Sequence, residues 1–116
     1  MQKDLKLKLF RGLADSSRLR VLEGLSDRTQ CVSDLMKSTG LTQSNLSMHL
    51  SCLRDCGLVR ARRNGRFVYY ELADPVVVQL LQAADRLLAR VSKRIEACPR
   101  YELEGNTNVK RAKAKQ

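Results

Sequence analysis

The sequence predicts a mainly α-helical domain that carries one small β-hairpin. Leucines recur at helical spacing through the first half of the chain, an Asn-Gly pair near residue 65 lies between β-prone segments, and a long apolar repeat follows Pro75. With 116 residues, the chain is long enough to bury one core. We predict one domain over residues 1–98 and a flexible basic tail over residues 99–116, because the tail has no apolar period.

Two amphipathic helices are predicted before residue 30. The apolar residues of the first are Leu5, Leu9, Leu13 and Phe10. The second begins at Asp15 or Ser16, because both residue types cap helix N-termini. Its predicted apolar stripe consists of Leu19, Leu22 and Leu25, with Val21 on the flank.

A helix-turn-helix is predicted between residues 32 and 57. A short third helix spans about residues 32–38 and ends at Gly40, a residue type that terminates helices. Thr42 then caps a fourth helix that Gly57 ends. The core stripe of the fourth helix is Leu46, Leu50 and Leu53. Its other face is polar, as in a helix that reads DNA.

A basic β-hairpin follows the fourth helix. Asn64-Gly65 is the two-residue turn signal between its strands. The arginines that crowd the hairpin are Arg60, Arg62, Arg63 and Arg66. A helix-turn-helix followed by such a hairpin is the winged-helix arrangement, so the predicted fold is a winged helix-turn-helix.

The last predicted helix runs from Pro75 to near Cys98, where Pro99 stops it. Its apolar residues are spaced as in a heptad repeat: Val77, Leu81, Ala84, Leu88, Val91 and Ile95. This seam packs either on the core of its own domain or also on a second copy. For so long a seam in so small a protein we expect a homodimer, formed through the N- and C-terminal helices.

The charge balance favours a polyanionic partner. Lys and Arg number 22 against 12 Asp and Glu, which gives a formal net charge of +10. Nucleic acid is the first expectation from such an excess, and a membrane surface the next. No segment approaches the roughly 18 consecutive apolar residues of a membrane span, and the first residues lack a signal-peptide pattern. We therefore expect a cytoplasmic protein with no membrane partner and with reduced cysteines.

An enzyme is not expected. The chain has one histidine, no glycine-rich phosphate loop and no recognisable nucleophile–base pair. A competing hypothesis is a basic RNA-binding or ribosome-associated protein. That hypothesis leaves both the heptad seam and a pair of cysteines on the fourth helix without an explanation.

Double-stranded operator DNA is the predicted partner. The residues predicted to face it are Gln43, Ser44, Asn45, Ser47, Met48, His49 and Ser51 on the fourth helix, with Arg62, Arg63 and Arg66 on the hairpin. The alternative interpretation of the helix residues is a solvated polar face. A winged-helix dimer places two such helices in successive major grooves, so the operator is expected to be an imperfect inverted repeat. The arginines would hold phosphates or enter the minor groove.

Two thiols on the fourth helix suggest a metal site. Residues four apart on a helix have Cβ atoms about 5–6 Å from each other, so Cys52 and Cys56 can reach one ion. Cys98, at the end of the last helix, is the candidate third ligand. Three thiolates without imidazole suit Cd(II), Pb(II) and As(III), whereas Zn(II) is possible but less distinctive. Inert buried cysteines and a reversible redox disulfide are the competing interpretations.

Four segments of the chain together resemble one known family. They are ADSSRLRVLEGL, CVSDL, LTQSNLSMHLSCLRDCGLV and NGRFVYYEL, and they resemble the ArsR/SmtB family of metal-sensing repressors. The stretch SNLSMHLSCLRDCGLV is most similar to the cadmium- and lead-sensing branch. There, two cysteines of the recognition helix and one from the opposite protomer's C-terminal region form a three-thiolate site.

The resemblance implies a function and a ligand set. It implies Cys52, Cys56 and Cys98 as ligands, and an apo dimer that represses metal-resistance genes until the metal releases it from DNA. Many members also carry two cysteines in a CVCDL-like motif on the third helix. Here Cys31 keeps the first position but Ser33 occupies the second, so we interpret Cys31 as structural. A redox- or persulfide-sensing repressor that uses Cys31 or Cys98 is the alternative within the same class.

Overall fold

The computed structural model describes residues 2–101 as helices joined to one small sheet. In chain order the elements are α1 (Gln2–Leu13), α2 (Ser16–Asp27), β1 (Gln30–Cys31), α3 (Val32–Thr39), α4 (Gln43–Asp55), β2 (Val59–Asn64), β3 (Phe67–Leu72) and α5 (Pro75–Ala97), with a 3-10 turn over Pro99–Tyr101. Residues up to Leu81 form one compact unit and those from Gln82 a second. Most of the predicted tail lies outside the described residues, and the predicted boundary at residue 98 stays a prediction.

Local signals set the helix ends. The Asp15 carboxylate accepts a hydrogen bond from the Arg18 backbone N–H at 2.9 Å and caps α2. Gly40 adopts a left-handed conformation with φ 75°, and its N–H donates to the Met36 carbonyl, which closes α3. Thr42 caps α4. The predicted helix starts and stops are confirmed at all three places.

The core of the first unit is entirely aliphatic. Its buried hydrophobic residues are Val21, Leu22, Leu25, Leu35, Leu46, Leu50, Leu53, Val59, Val77 and Leu81. The predicted stripe of α4 is therefore confirmed. Because α2 and α3 supply the facing side chains, the position of α4 is determined by burial of apolar surface.

The predicted stripe of α2 was wrong at Leu19. This residue is exposed, while Val21, predicted on the flank, is completely buried. A helix turns 100° per residue, so Val21, Leu22 and Leu25 centre a face from which Leu19 is rotated by about 110°. Leucine spacing alone pointed to the wrong edge of this face.

The sheet has a third strand that was not predicted. Its order is β1-β3-β2, all antiparallel, with Gln30 opposite Tyr70 and Cys31 opposite Tyr69. The buried Gln30 side chain donates to the Gly24 carbonyl at 2.7 Å and accepts from Ser38 Oγ at 3.2 Å. Two residues are too few to display an alternating pattern, which explains why the sequence did not reveal this strand.

The hairpin turn is one residue later than predicted. Asn64 pairs with Phe67, so Gly65 and Arg66 are the two turn residues, and Asn64 belongs to β2. Gly65 has φ 63°, and no residue other than glycine has a positive φ in residues 2–101. A positive φ at the first turn residue alone is the pattern of a type II′ turn. The Asn-Gly signal located the hairpin correctly but placed its turn one residue too early.

The two terminal helices expose apolar surface. No residue of α1 is buried, and Leu5, Leu7 and Phe10 are at least half exposed. Within α5, Val77 and Leu81 pack in the core of the first unit, whereas the seam residues of the second unit, Ala84, Leu88, Val91 and Ile95, are exposed or only half-buried. Of the helices described, none combines the length and apolarity that a membrane span requires.

Candidate DNA-binding surface and thiol pair

The outward face of α4 carries short polar side chains. The three leucines of α4 point into the core, so the residues between them face away from it. Six of the predicted DNA-facing residues are exposed: Gln43, Ser44, Asn45, Ser47, Met48 and Ser51. All of them except Met48 have hydroxyl or amide groups, which can donate and accept hydrogen bonds as contacts to base edges require. The structure therefore presents this predicted set on one accessible helix.

Polar contacts that the sequence did not reveal stabilise the turn before α4. Thr39 is buried; its hydroxyl donates to the Leu35 carbonyl at 2.5 Å and accepts from the Leu41 backbone N–H at 3.3 Å. The Arg20 guanidinium, from α2, donates to the Thr39 carbonyl at 3.0 Å. These bonds satisfy backbone groups that the end of α3 leaves open. They hold the chain where it enters the recognition helix.

His49 differs from the rest of the predicted DNA-facing set. It is half-buried and lies near the N-terminus of α2. The Arg18 backbone N–H lowers the pKa of the Asp15 carboxyl, and the charges of Arg18 and His49 act in the same direction. His49 therefore lies on the flank of α4 that faces α2, and its predicted contact with DNA stays a prediction.

The two thiols of α4 lie side by side on its surface. Cys52 and Cys56 are exposed and free, and the backbone N–H of Cys56 donates to the Cys52 carbonyl at 3.0 Å. Partial desolvation is the main cause that raises the pKa of Cys56, and the neighbouring Cys52 thiol raises it further. An ion bound here would replace protons and relieve the repulsion between two thiolates. Two adjacent soft donors open to solvent fit a thiophilic ion, although they form only part of a coordination shell.

The other two cysteines lie elsewhere in the chain. Cys31 is half-buried in β1, with its sulfur 3.3 Å from Ser33 Oγ. Cys98 is half-buried in the second unit, where its backbone N–H donates to the Ile95 carbonyl at the end of α5. Within residues 2–101, there is no group of three or more His, Cys, Asp or Glu side chains that could hold a metal ion. The role of Cys98 as third ligand stays a prediction.

The hairpin arginines fall into two classes. Arg60 and Arg62 both bind Glu71, at 2.6 Å from Arg60 Nε to Oε2 and 3.1 Å from Arg62 Nη1 to Oε1. These bonds lower the pKa of Glu71, with the Arg60 bond having the larger effect. Arg63 and Arg66 are exposed, and neither has an ion-pair partner in the part of the chain that the structure describes. Glu71 was not identified from the sequence, because the register that places it opposite Arg60 depends on a turn one residue later than the predicted one.

Comparisons with known proteins agree on one family. Residues 15–61 match the family described as "Bacterial regulatory protein, arsR family". The matched segment runs from the cap of α2 through α4 into β2, and it contains the helix-turn-helix and all of the buried core residues except Val77 and Leu81.

Two named relatives and one solved structure extend this match. The HTH-type transcriptional regulator CmtR of Mycobacterium bovis is 39% identical over 113 residues, covering 91% of this chain and 96% of its own. A protein named "Probable mercury resistance operon repressor" from Streptomyces lividans is 36% identical, covering 88% and 82%. A homodimeric winged helix-turn-helix DNA-binding domain from Mycobacterium bovis, solved in solution as a possible ArsR-family regulator, superposes with TM-score 0.67 and 30% identity, covering 78% of this chain and 83% of that one.

Proposed function

The chain belongs to the ArsR family of bacterial regulatory proteins, and from that membership we propose that it is a metal-responsive transcriptional repressor. Its apo dimer binds an inverted-repeat operator through α4 and the hairpin. Binding of a thiophilic ion, Cd(II) or Pb(II), to Cys52, Cys56 and Cys98 releases it. The genes it controls are then expressed, and metal-resistance genes are the expected targets because one relative is named as the repressor of a mercury resistance operon.

The position of the thiol pair is the single observation that carries this proposal. Cys52 lies in the 13-residue helix that presents the polar DNA-facing set, and Cys56 is the residue that caps the C-terminus of this helix. A ligand at these thiols therefore acts directly on the element that reads DNA. Metal binding needs both thiols deprotonated, and three thiolates around a divalent ion carry a net charge of about −1. That negative charge would lie beside the helix that reads DNA, where it would repel the polyanion.

Dimerisation would supply the missing part of the site. The exposed leucines of α1 and the exposed seam residues of α5 are apolar surfaces of the kind that a second copy covers. The homodimeric state of the solution structure supports the same assembly here. We propose that Cys98 of one protomer joins Cys52 and Cys56 of the other. A ligand shared between protomers would restrict the spacing of the two recognition helices, to which half-site binding is sensitive.

Metal titration of the reduced apo protein tests the site. Cd(II), then Pb(II), Zn(II) and As(III), are added while thiolate-to-metal absorption is followed. We expect saturation by Cd(II) at one ion per protomer, loss of the band in Cys52→Ser and Cys56→Ser, and a weaker band in Cys98→Ser. Cys31→Ser is the matched control and retains the wild-type band. No band in the wild-type protein would contradict the metal site while leaving DNA binding intact.

A mixed dimer tests whether the site is shared. One protomer carries Cys52→Ser and Cys56→Ser, and the other carries Cys98→Ser. If Cys98 crosses between protomers, the mixed dimer contains one complete site although each parent homodimer contains none. A mixed dimer that binds Cd(II) no better than its parents would contradict a shared ligand.

The regulatory step is measured on DNA selected from a random pool by the apo protein. Allosteric couplings are typically about 1–3 kcal/mol, so saturating Cd(II) is expected to weaken operator binding by roughly 5- to 150-fold. Equal operator affinity with and without saturating metal would contradict the proposed regulation. Loss of binding on oxidation in metal-free buffer, reversed by reductant, would favour the redox alternative.

A further inference from the structure

The outer face of the hairpin contains a charge cluster with an internal counterion. Glu71 lies directly opposite Arg60 across the β2–β3 pair and diagonally from Arg62, so all three side chains share one face of the sheet. Each carboxylate oxygen is used: Oε2 accepts from Arg60 and Oε1 from Arg62. The Glu71 side chain is only 13% exposed, while those of Arg60 and Arg62 are 59% and 69% exposed.

We propose that Glu71 limits the general affinity for DNA, because it holds Arg60 and Arg62 against the sheet and withholds positive charge from DNA phosphates. This inference rests on the proposed DNA-binding function. Two guanidiniums and one carboxylate leave a single net positive charge on this face. A phosphate that approached Arg62 would also meet the Glu71 carboxylate, 3.1 Å from the guanidinium nitrogen, and like charges repel.

Arg63 and Arg66 then bind the phosphates that the hairpin reaches. Arg66 lies in the turn. Arg63 follows Arg62 directly in β2, so their side chains lie on opposite faces of the sheet. Both are exposed, and neither is paired with a carboxylate within residues 2–101. Arg62 was predicted to contact DNA together with them, because all three residues are basic and close together in the sequence. The arrangement around Glu71 separates Arg62 from the other two.

The benefit of such a counterion follows from how non-specific binding scales. Binding to phosphates contributes affinity for any DNA, whereas hydrogen bonds from α4 to base edges distinguish sequences. Each further phosphate that the protein neutralises strengthens binding to the many non-operator sites as much as to the operator. An arginine pair held by Glu71 keeps the hairpin ordered without adding its full charge to that general affinity.

The experiment measures how binding to non-operator DNA depends on salt, using full-length, reduced, metal-free protein. Each further phosphate that the protein neutralises makes the slope of log affinity against log salt more negative by about 0.9. The ratio of the affinities at about 50 and about 200 mM salt then grows roughly threefold. We expect Glu71→Gln to steepen the dependence by about one phosphate per protomer and to strengthen binding to operator and non-operator DNA alike, which leaves the ratio of the two affinities unchanged. Glu96→Gln removes the same charge from α5 and controls for net charge.

Variants of Arg62 distinguish two roles for Glu71, which are to keep the charge of Arg62 from phosphates or to orient Arg62 toward a phosphate. Arg62→Gln alone is expected to leave the salt dependence unchanged, and Glu71→Gln/Arg62→Gln to return it toward wild type. If Glu71 instead orients Arg62 toward a phosphate, Glu71→Gln weakens binding and Arg62→Gln flattens the dependence by one phosphate. That result would overturn the proposal, and Arg62→Gln tests it even if Glu71→Gln does not fold.

The inference and the proposed function fail in different ways. Wild-type protein that shows no salt-dependent DNA binding would overturn both. Wild-type protein that binds DNA normally, with a Glu71→Gln variant of unchanged salt dependence, would overturn the role of Glu71 alone.

Discussion

Helix α4 and the β2–β3 hairpin are both proposed to contact DNA, but they are held and charged differently. Leu46, Leu50 and Leu53 of α4 are at most 2% exposed, and the outward face of the helix carries mainly hydroxyl and amide groups. The hairpin contains four arginines and one glutamate, and the Phe67 side chain near its tip is 57% exposed. The core therefore positions α4, whereas the hairpin extends from a small sheet and carries exposed charged side chains.

This difference suits the two kinds of contact that DNA offers. Hydrogen bonds to base edges require donors and acceptors at defined places, so the helix that makes them needs a rigid base. Attraction to phosphates acts over several ångströms and tolerates imprecise placement. A thiol pair on the core-anchored helix can therefore influence sequence reading, whereas a change on the hairpin alters general affinity.

The largest expected difference between the two elements concerns stability. Leu50→Ala removes a completely packed side chain from the core and is expected to lower the free energy of unfolding by about 2–5 kcal/mol. Phe67→Ala on the hairpin loses an exposed side chain and one aromatic contact to Tyr69, and is expected to cost less than about 1 kcal/mol. Urea denaturation at one protein concentration measures both. Equal losses would show that the hairpin is as much a part of the core as α4.

A smaller effect is expected at the entry to α4. Thr39→Val keeps the shape of the side chain but leaves the Leu41 N–H without its hydroxyl partner, while the Leu35 carbonyl still accepts from Ser38 Oγ. Unsatisfied buried groups cost about 1–3 kcal/mol each, so the variant is expected to be destabilised by that order and to bind its operator less well. Thr29→Val, at an exposed threonine, is the matched control. If both variants were as stable as wild type, the turn would not depend on this hydroxyl.

On DNA, the two elements are expected to affect different quantities. Gln43→Ala on α4 is expected to cost about 1–3 kcal/mol on the operator and little on other DNA. Arg66→Gln in the hairpin turn is expected to weaken all DNA alike and to reduce the salt slope by about one. Fluorescence anisotropy on both DNAs at several salt concentrations separates these effects. A sequence-dependent loss in Arg66→Gln would assign base reading to the hairpin as well.

The smallest expected effect tests whether the negative charge of Asp15 stabilises α2, the helix against which α4 packs. The pKa of Asp15 is lowered in the folded chain, so its ionised form stabilises the protein above the unfolded value near 3.8, and this contribution is lost as the pH falls through the folded pKa. Asp15→Asn keeps the cap but removes the charge, and is expected to cost about 0.3–1 kcal/mol near neutral pH. Denaturation at neutral and at acidic pH measures the difference between variant and wild type. A difference that did not shrink in acid would exclude the charge as its cause.

Signals that act within a few residues were readable from the sequence. The caps at Asp15 and Thr42 and the left-handed Gly40 each depend on backbone groups no more than four residues away, so the residue type alone predicts the boundary. The leucines of α4 repeat at the helical period, so the buried face and the opposite polar face followed directly. The adjacency of Cys52 and Cys56 follows from the same geometry.

Contacts between segments that are distant along the chain required the folded structure. Strand β1 exists only because β3, some 40 residues later, provides its partners, and the buried Gln30 is satisfied by Gly24 and Ser38 of neighbouring helices. Glu71 separates Arg62 from the other hairpin arginines because a cross-strand register places it beside Arg60. The sequence alone determined the helices, the recognition face and the thiol pair, since these depend on local periodicity. The third strand, the register of the hairpin and the partner of each arginine depend on which distant residues the fold brings together, and no local pattern encodes that.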